Sequence, residues 1–309
     1  MAETMAVRMA RLRILGKSPL GVYLRLNEWI WNHLPRSLTA LRPLTLYGRL
    51  MHSLVRLQAG RQMYLGTLFL RNRAELELIR RLSILRSKAG QAVKIAVLGS
   101  SNGAEVYSIA WAVRSAQPDS KLIMEAVDIS AEVLKFAQRG VYAPGVSELV
   151  NEPVLEHMTA GEMEEMFDSE GDDFRVKPWI GEGITWRLGD AGDPGIVDAL
   201  GPQQIVVANR FLCHMSPADA ERCLRNVARL VAPGGYLFVS GIDLDVRTRV
   251  AIKLGWKPVP DLMEQIHDGD QTLRVSWPYK YWGLEPIDRK RRDWKMRYAA
   301  VFQLGEGSE

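Results

Sequence analysis

The chain has 309 residues, 47% of them hydrophobic and 25% charged, with a formal net charge of +4. That balance excludes a disordered chain and one saturated with membrane spans, and the length suits a main domain with a smaller attachment. Cys213 and Cys223 are the only cysteines, too few for a disulfide scaffold and suited to a reducing, cytoplasmic compartment.

Residues 1–60 carry nine Lys and Arg against Glu3 and Glu28, a net +7 that leaves −3 for the rest of the chain. A basic arm of this kind is either a solvated helix face or a surface for an acidic partner, and the sequence leaves the choice open. Arg or Lys interrupts every apolar stretch before the roughly 18 to 20 residues that a span needs, so no membrane crossing is expected. The Arg-rich, acid-poor start is like a transit peptide but lacks the apolar core of a secretory signal, and it is read as part of the mature protein. From Val7 to Leu85 apolar residues recur at three-to-four spacing, broken at Pro19, Pro35 and Pro43, which predicts a basic helical module over 1–86. The same spacing is expected to hold 64–85 helical, through Leu68, Phe69, Leu76, Ile79 and Leu82.

A different regime occupies 87–309. The apolar run 93–98 ends at Gly99, and helical spacing resumes over 105–116. The unit repeats as 122–127 with 131–139 and as 205–208 with 218–230, followed by a strand at 236–240. Such alternation predicts an α/β fold, a parallel sheet covered by helices, with the segment 298–304 as a further edge strand of open direction. Residues 144–185 are acidic and read as an insertion with a small hairpin, placed over 174–179 beside the GEG turn. Residues 257–297 read as an aromatic C-terminal extension, with Trp277, Tyr279, Tyr281 and Trp282 near the basic run 289–292. That run is too short for a nucleic-acid stripe, and no nucleic acid is expected.

Ligands of doubly wound sheets bind beyond the carboxyl ends of the strands. The first such end is GSSNGAEVYS, residues 99–108, where Gly99 and Gly103 let the main chain turn and approach a ligand. It is not the GxGxxG dinucleotide fingerprint. Asp128 follows the second strand, about 25 residues on, where an acid can accept both hydroxyls of an adenosine ribose. Asp190, in GDAGD after the run 184–188, is placed to accept from an adenine amino group. Either acid could instead cap a helix or turn. The three ends together suggest an adenosine ligand without a pyrophosphate, and S-adenosylmethionine fits best.

These residues carry a resemblance to the chemotaxis receptor methyltransferase (CheR) family of S-adenosylmethionine-dependent enzymes. TLFLR at 67–71 resembles the family's T-x-FFR, GAEVYSIA at 103–110 resembles GEEPYSIA, and DISAEVLKFAQRGVY at 128–142 resembles DIDxxVLxxAxxGxY. The likeness continues through 174–186 and 208–235 and covers roughly residues 64–242. It implies a Rossmann-like class I methyltransferase sheet with a helical N-terminal module. It also implies that Gly99, Ser101, Gly103 and Glu105 surround the methionine part of the cofactor, with Asn209 beside them. Asp128 would take the ribose, Asp190 and Ala191 would border the adenine, and Ile129 would pack on its ring. Arg71 would reach the site from the preceding helix and hold the cofactor carboxylate or an acidic acceptor, with Arg210 and His214 also at the reacting centre.

The departures concern the acceptor. The family's C-R-N-V-x-I-Y-F stands here as Ala208-Asn209-Arg210-Phe211-Leu212-Cys213-His214-Met215, so His214 replaces the tyrosine near the transferred methyl. A carboxylate acceptor, such as a protein glutamate, needs no base. A small-molecule hydroxyl must lose a proton, which a histidine can take. A non-catalytic module that senses S-adenosylmethionine is the third reading. Asp243 and Asp245 are weaker candidates, with Asp245 expected to cap the helix that starts at Val246. His267, Asp268 and Asp270 read as a surface turn, and no metal is expected. Cys213 and Cys223 read as small buried hydrophobes.

Overall fold

A computed structural model describes residues 19–35, 43, 44, 46–48, 50, 51, 54, 67–87, 92–147, 150–269 and 285–305. Trp277, Tyr279, Tyr281, Trp282, Asp270 and most of the basic arm lie outside the described residues.

The sheet has seven strands. Strands β1 (Val93–Leu98), β2 (Leu122–Asp128), β8 (Ile184–Leu188), β9 (Gln203–Asn209) and β10 (Val231–Ser240) are parallel. β11 (Lys257–Pro258) and β12 (Val301–Gln303) close one edge, with β12 antiparallel to β10. The order is β11-β12-β10-β9-β1-β2-β8, so the chain reverses its direction of travel between β1 and β9. Side chains alternate across the strands because successive Cβ atoms point to opposite faces. Ile95, Val97, Ile205 and Val207 enter one core with helices α2 (Arg73–Ser87) and α3 (Ala104–Ala116). Val206, Ala208, Leu237 and Val239 enter the other, with α8 (Pro217–Ala228) and α9 (Leu244–Lys253). Burying side chains of this size stabilises by roughly 1.5 to 3 kcal/mol each.

The described chain also has helices α5 (Ala160–Met166), α6 (Pro178–Gly181) and α7 (Gly195–Leu200), a two-stranded sheet of β4 (Val146–Ser147) and β5 (Val150–Pro153), and the pieces that follow. In α1 (Pro19–His33), Leu24 and Trp31 form a small separate core with Met51. Helix α4 (Ala131–Arg139) follows β2, starts on the Ser130 hydroxyl and ends at Gly140, whose φ is +64°. A three-stranded antiparallel sheet joins β3 (Val141–Tyr142), just before the acidic insertion, to β7 (Asp173–Val176) and β6 (Phe167–Glu170) within it. Helices α10 (Met263–Asp268) and α11 (Trp294–Tyr298) precede β12.

Four expectations are corrected. Residues 67–72 form a turn, and α2 begins only at Arg73, because the Asn72 carboxamide oxygen accepts from the Glu75 N–H at 3.2 Å and starts the helix there. Phe69 and Leu70 fill the core from that turn, which mimics helical spacing. The hairpin turns at Gly171 (φ +63°) between β6 and β7, and 178–181 is a short helix with Pro178 in its first turn. Tyr298 ends α11, so the last strand is shorter than its apolar run. The cap of α9 is Asp243, which accepts from the N–H groups of Asp245 and Val246. Asp245 instead accepts from Arg297 Nη1 at 2.6 Å.

Candidate functional site

The point where the strand order reverses leaves a crevice beyond the carboxyl ends of β1 and β9, and the sequence motifs converge on it. The turn before α2 is tied to the loop after β1. Asn102 donates through Nδ2 to the Thr67 carbonyl at 3.1 Å, the Leu70 N–H donates to Ser108 Oγ at 3.0 Å, and the Tyr142 hydroxyl donates to the Asn102 carbonyl at 2.7 Å. Arg71 therefore reaches the crevice from a turn rather than from a helix. Its Nη2 donates to Glu105 Oε1 at 3.2 Å, with its side chain nearly buried.

Glu105 opens α3 and meets Asn209, the last residue of β9. Asn209 Nδ2 donates to Glu105 Oε1 at 2.9 Å and to Glu75 Oε1 at 2.6 Å. Its Oδ1 accepts from the Ser240 N–H at 3.1 Å and from Ser240 Oγ at 2.7 Å, which fixes the orientation of the amide. Arg210 follows with φ +63°, and burial, together with the nearby Arg71, pushes its guanidinium pKa down. Burial also pushes the Glu75 carboxyl up, to about 7, with the neighbouring Glu105 adding to the effect. The crevice floor is thus a compact cluster of two carboxylates, two guanidiniums and one amide.

Glu75 was not singled out by the sequence. Its signal was positional, since 75, 78, 79 and 82 share one face of α2 and the other three are Leu78, Ile79 and Leu82, all buried. An acid on that stripe cannot be a solvated surface residue.

The second and third strand ends lie beside the first. Asp128 is mostly buried and accepts the Ser101 N–H on Oδ2 at 2.8 Å and the Ser130 N–H on Oδ1 at 3.0 Å. It is not the cap of α4, which is Ser130. A carboxylate offers about four acceptor sites, so two remain for ligand hydroxyls. Ser101 itself has φ +50°, a conformation that non-glycine residues rarely adopt. Asp190 is exposed and accepts the Gly192 N–H at 2.8 Å, while Ala191 beneath it is buried. Ile129 and Leu188 are 58% and 61% exposed at these adjacent strand ends. Leu188 pairs in register with Asp128 and was another residue the sequence did not mark.

Gly99 and Gly103 are required, for an internal reason. A Cβ on Gly99 (φ +67°) would lie 3.0 Å from the Phe211 ring, and one on Gly103 (φ +86°) would lie 2.9 Å from both Ala137 and Trp186. His214 closes a 3₁₀ turn at Leu212–His214 after β9, half-buried, and burial pushes its pKa down. Cys213 beside it donates to the Arg210 carbonyl at 3.2 Å, and burial pushes its thiol up to about 12. Cys223 is buried in α8. His267 is buried, with Nε2 at 2.8 Å from the Glu285 carbonyl oxygen, so it is not part of a surface turn.

The crevice suits S-adenosylmethionine. Asp128 retains acceptor capacity for a ribose, two exposed aliphatic side chains flank it as faces for a purine, and the Ser100 hydroxyl beneath the loop is buried with no hydrogen-bond partner among the described residues. A parallel sheet with one antiparallel strand near its edge, and this polar crevice at its reversal point, make a Rossmann-like α/β architecture. The chain belongs to the CheR methyltransferase family: the model of its SAM-binding domain matches residues 66–244, more than half the chain. Its cofactor is S-adenosylmethionine.

No curated protein matches the sequence. Among solved structures, the chain is similar to the N-methyltransferase NodS from Bradyrhizobium japonicum WM9 in complex with S-adenosyl-L-homocysteine. The identity is 15%, over 62% of this chain and 78% of that one, with a TM-score of 0.35. It is also similar to magnesium protoporphyrin IX methyltransferase from Synechocystis PCC 6803 with bound S-adenosylmethionine, at 15% identity over 60% and 71% of the two chains and a TM-score of 0.34.

Proposed function

We propose that the protein transfers the methyl group of S-adenosylmethionine to a carboxylate oxygen, such as that of a protein glutamate side chain, giving a methyl ester. The observation that carries this reading is the pair of guanidiniums, Arg71 and Arg210, gathered in the crevice floor, where Arg71 is also paired with Glu105. Arginine binds a carboxylate through two parallel N–H donors, which would fix the acceptor for attack. The donor supplies a methyl group on a sulfonium, and the transfer is an in-line displacement, so the protein's part is alignment and exclusion of water. In this reading Asp128 holds the ribose, and Asp190, Ala191, Ile129 and Leu188 hold the adenine. Gly99, Ser101, Gly103, Glu105 and Asn209 shape the methionine end.

His214 supports a second reading, a small-molecule hydroxyl acceptor. Burial pushes its pKa down and so favours the neutral imidazole, which is the form that takes a proton. A non-catalytic module that only senses the cofactor is distinguished by turnover. The test is transfer of labelled methyl from S-adenosylmethionine into cell extract, followed by mild alkali. Label released as methanol supports a carboxyl ester, stable label supports an ether or amine, and no transfer with any acceptor supports the sensor.

A further inference from the structure

The Glu75 carboxylate has no place in the reaction as described, yet it is held within the cofactor crevice by a side chain that serves both strands and helices. Its Oε1 accepts from Asn209 Nδ2 at 2.6 Å, and the same nitrogen donates to Glu105 Oε1 at 2.9 Å. One amide therefore bridges two carboxylates, one of which also takes Arg71. The charged groups facing Glu75 are Glu105 of α3, Arg71 of the preceding turn and Arg210 after β9. The other elements against α2 are β1, whose one titratable group is the exposed Lys94, and α10, which brings Glu264, His267 and Asp268. With both carboxylates ionised the cluster of Arg71, Arg210, Glu75 and Glu105 is neutral. With Glu75 protonated it carries one positive charge.

The methyl donor and its product differ by one charge. S-adenosylmethionine has a sulfonium, and S-adenosylhomocysteine has a neutral thioether in its place. A buried charge at short range acts through a low effective dielectric, so a cluster of net positive charge disfavours the sulfonium and leaves the thioether nearly unaffected.

We propose that Glu75 is a positioning residue that acts through Asn209 and sets the preference for donor over product: as the carboxylate it favours the cationic donor, and as the acid it does not. The proposal rests on the reading that the crevice beside this cluster takes the methionine end of the cofactor. Binding of the donor drives the Glu75 proton out to water. Once the methyl has left and the sulfur is neutral, a proton returns from water to Glu75, and the product's hold is no stronger than before.

The test is calorimetric titration of the full-length protein with S-adenosylmethionine and, separately, S-adenosylhomocysteine, at about pH 6 and about pH 8.5. For the wild type, the affinity ratio of donor to product is expected to rise about tenfold between these values. In Glu75→Gln the rise is expected to vanish. The donor's own amine titrates alike in both proteins, so the readout is the difference between them. Equal pH dependence in wild type and variant overturns the proposal. Should Glu75→Gln fail to fold, titration of the wild type in buffers of different ionisation enthalpy decides. Proton release with the donor and none with the product supports the proposal, and equal release with both overturns it. A wild type that binds neither nucleoside refutes the cofactor reading itself, and the proposal falls with it.

Discussion

Glu75 makes the cost of this site explicit. Its carboxyl sits at about 7 in the folded protein against an ordinary 4.5, because burial disfavours its charge. The folded state therefore holds a proton that the unfolded state has lost between those values, and stability falls as pH rises through that window. Removing the charge with Glu75→Gln should leave stability little changed at pH near 5 and raise it at pH near 8, by on the order of 2 to 3 kcal/mol. Thermal melts of both proteins at the two pH values check this. An identical difference at both would mean that the carboxyl does not titrate in this range. Asp128 was legible in the sequence because it directly follows a strand run, and Arg71 because of its motif. Glu75 was not, because an acid in a helix full of Glu and Arg reads as solvated until its angular position beside Leu78, Ile79 and Leu82 is taken into account. Leu188 was missed because an apolar residue that ends a strand gives no sign that its side chain is exposed.

Among the elements, the strand-turn-helix units were the most legible part, since β-branched runs followed by three-to-four spacing have few alternative solutions. Helix α4 matches its expected limits because Ser130 and Gly140 mark both ends. The insertion was less legible. Its hairpin was placed on the GEG turn, whereas Gly171 makes the turn and Pro178 starts a helix instead. The glycine loop after β1 was found correctly, but its glycines face inward against Phe211, Ala137 and Trp186, and only packing in three dimensions reveals this. Gly103→Ala tests the point. The new Cβ meets Trp186 and Ala137 at 2.9 Å with φ at +86°, so a loss of roughly 1 to 3 kcal/mol in denaturant unfolding is expected. Cofactor affinity should fall with it as the start of α3 shifts. A variant as stable as the wild type would contradict this packing.

At the scale of the whole molecule, the C-terminal part of the described chain is anchored to the sheet. Arg297 of α11 donates to Glu285 Oε1 at 2.5 Å and to Oε2 at 3.0 Å, and Tyr298 donates to Glu285 Oε1 at 3.0 Å. Arg247 of α9 donates to the carbonyls of Val239 and Arg297, both at 2.8 Å, which ties this network to β10. Arg297 and Glu285 are both buried, and without Glu285 the buried guanidinium keeps only the exposed Asp245 as counter-ion while the Tyr298 hydroxyl loses its acceptor. Glu285→Ala should therefore cost about 3 kcal/mol in equilibrium unfolding, at the lower end for a broken buried pair because Asp245 remains, and well above the same change at an exposed pair such as Glu170 and Arg175. Equal effects at the two sites would contradict the anchoring role.

The central claim is that the ends of β1, β2 and β8 together hold S-adenosylmethionine, with Asp128 on its ribose. Calorimetric titration of S-adenosylmethionine into the wild type and into Asp128→Asn tests it most directly. One donor should bind per chain, and Asp128→Asn should bind it at least about tenfold more weakly, as expected for loss of charge-assisted hydrogen bonds. Equal affinity in the two proteins, or no binding by the wild type, would contradict the account.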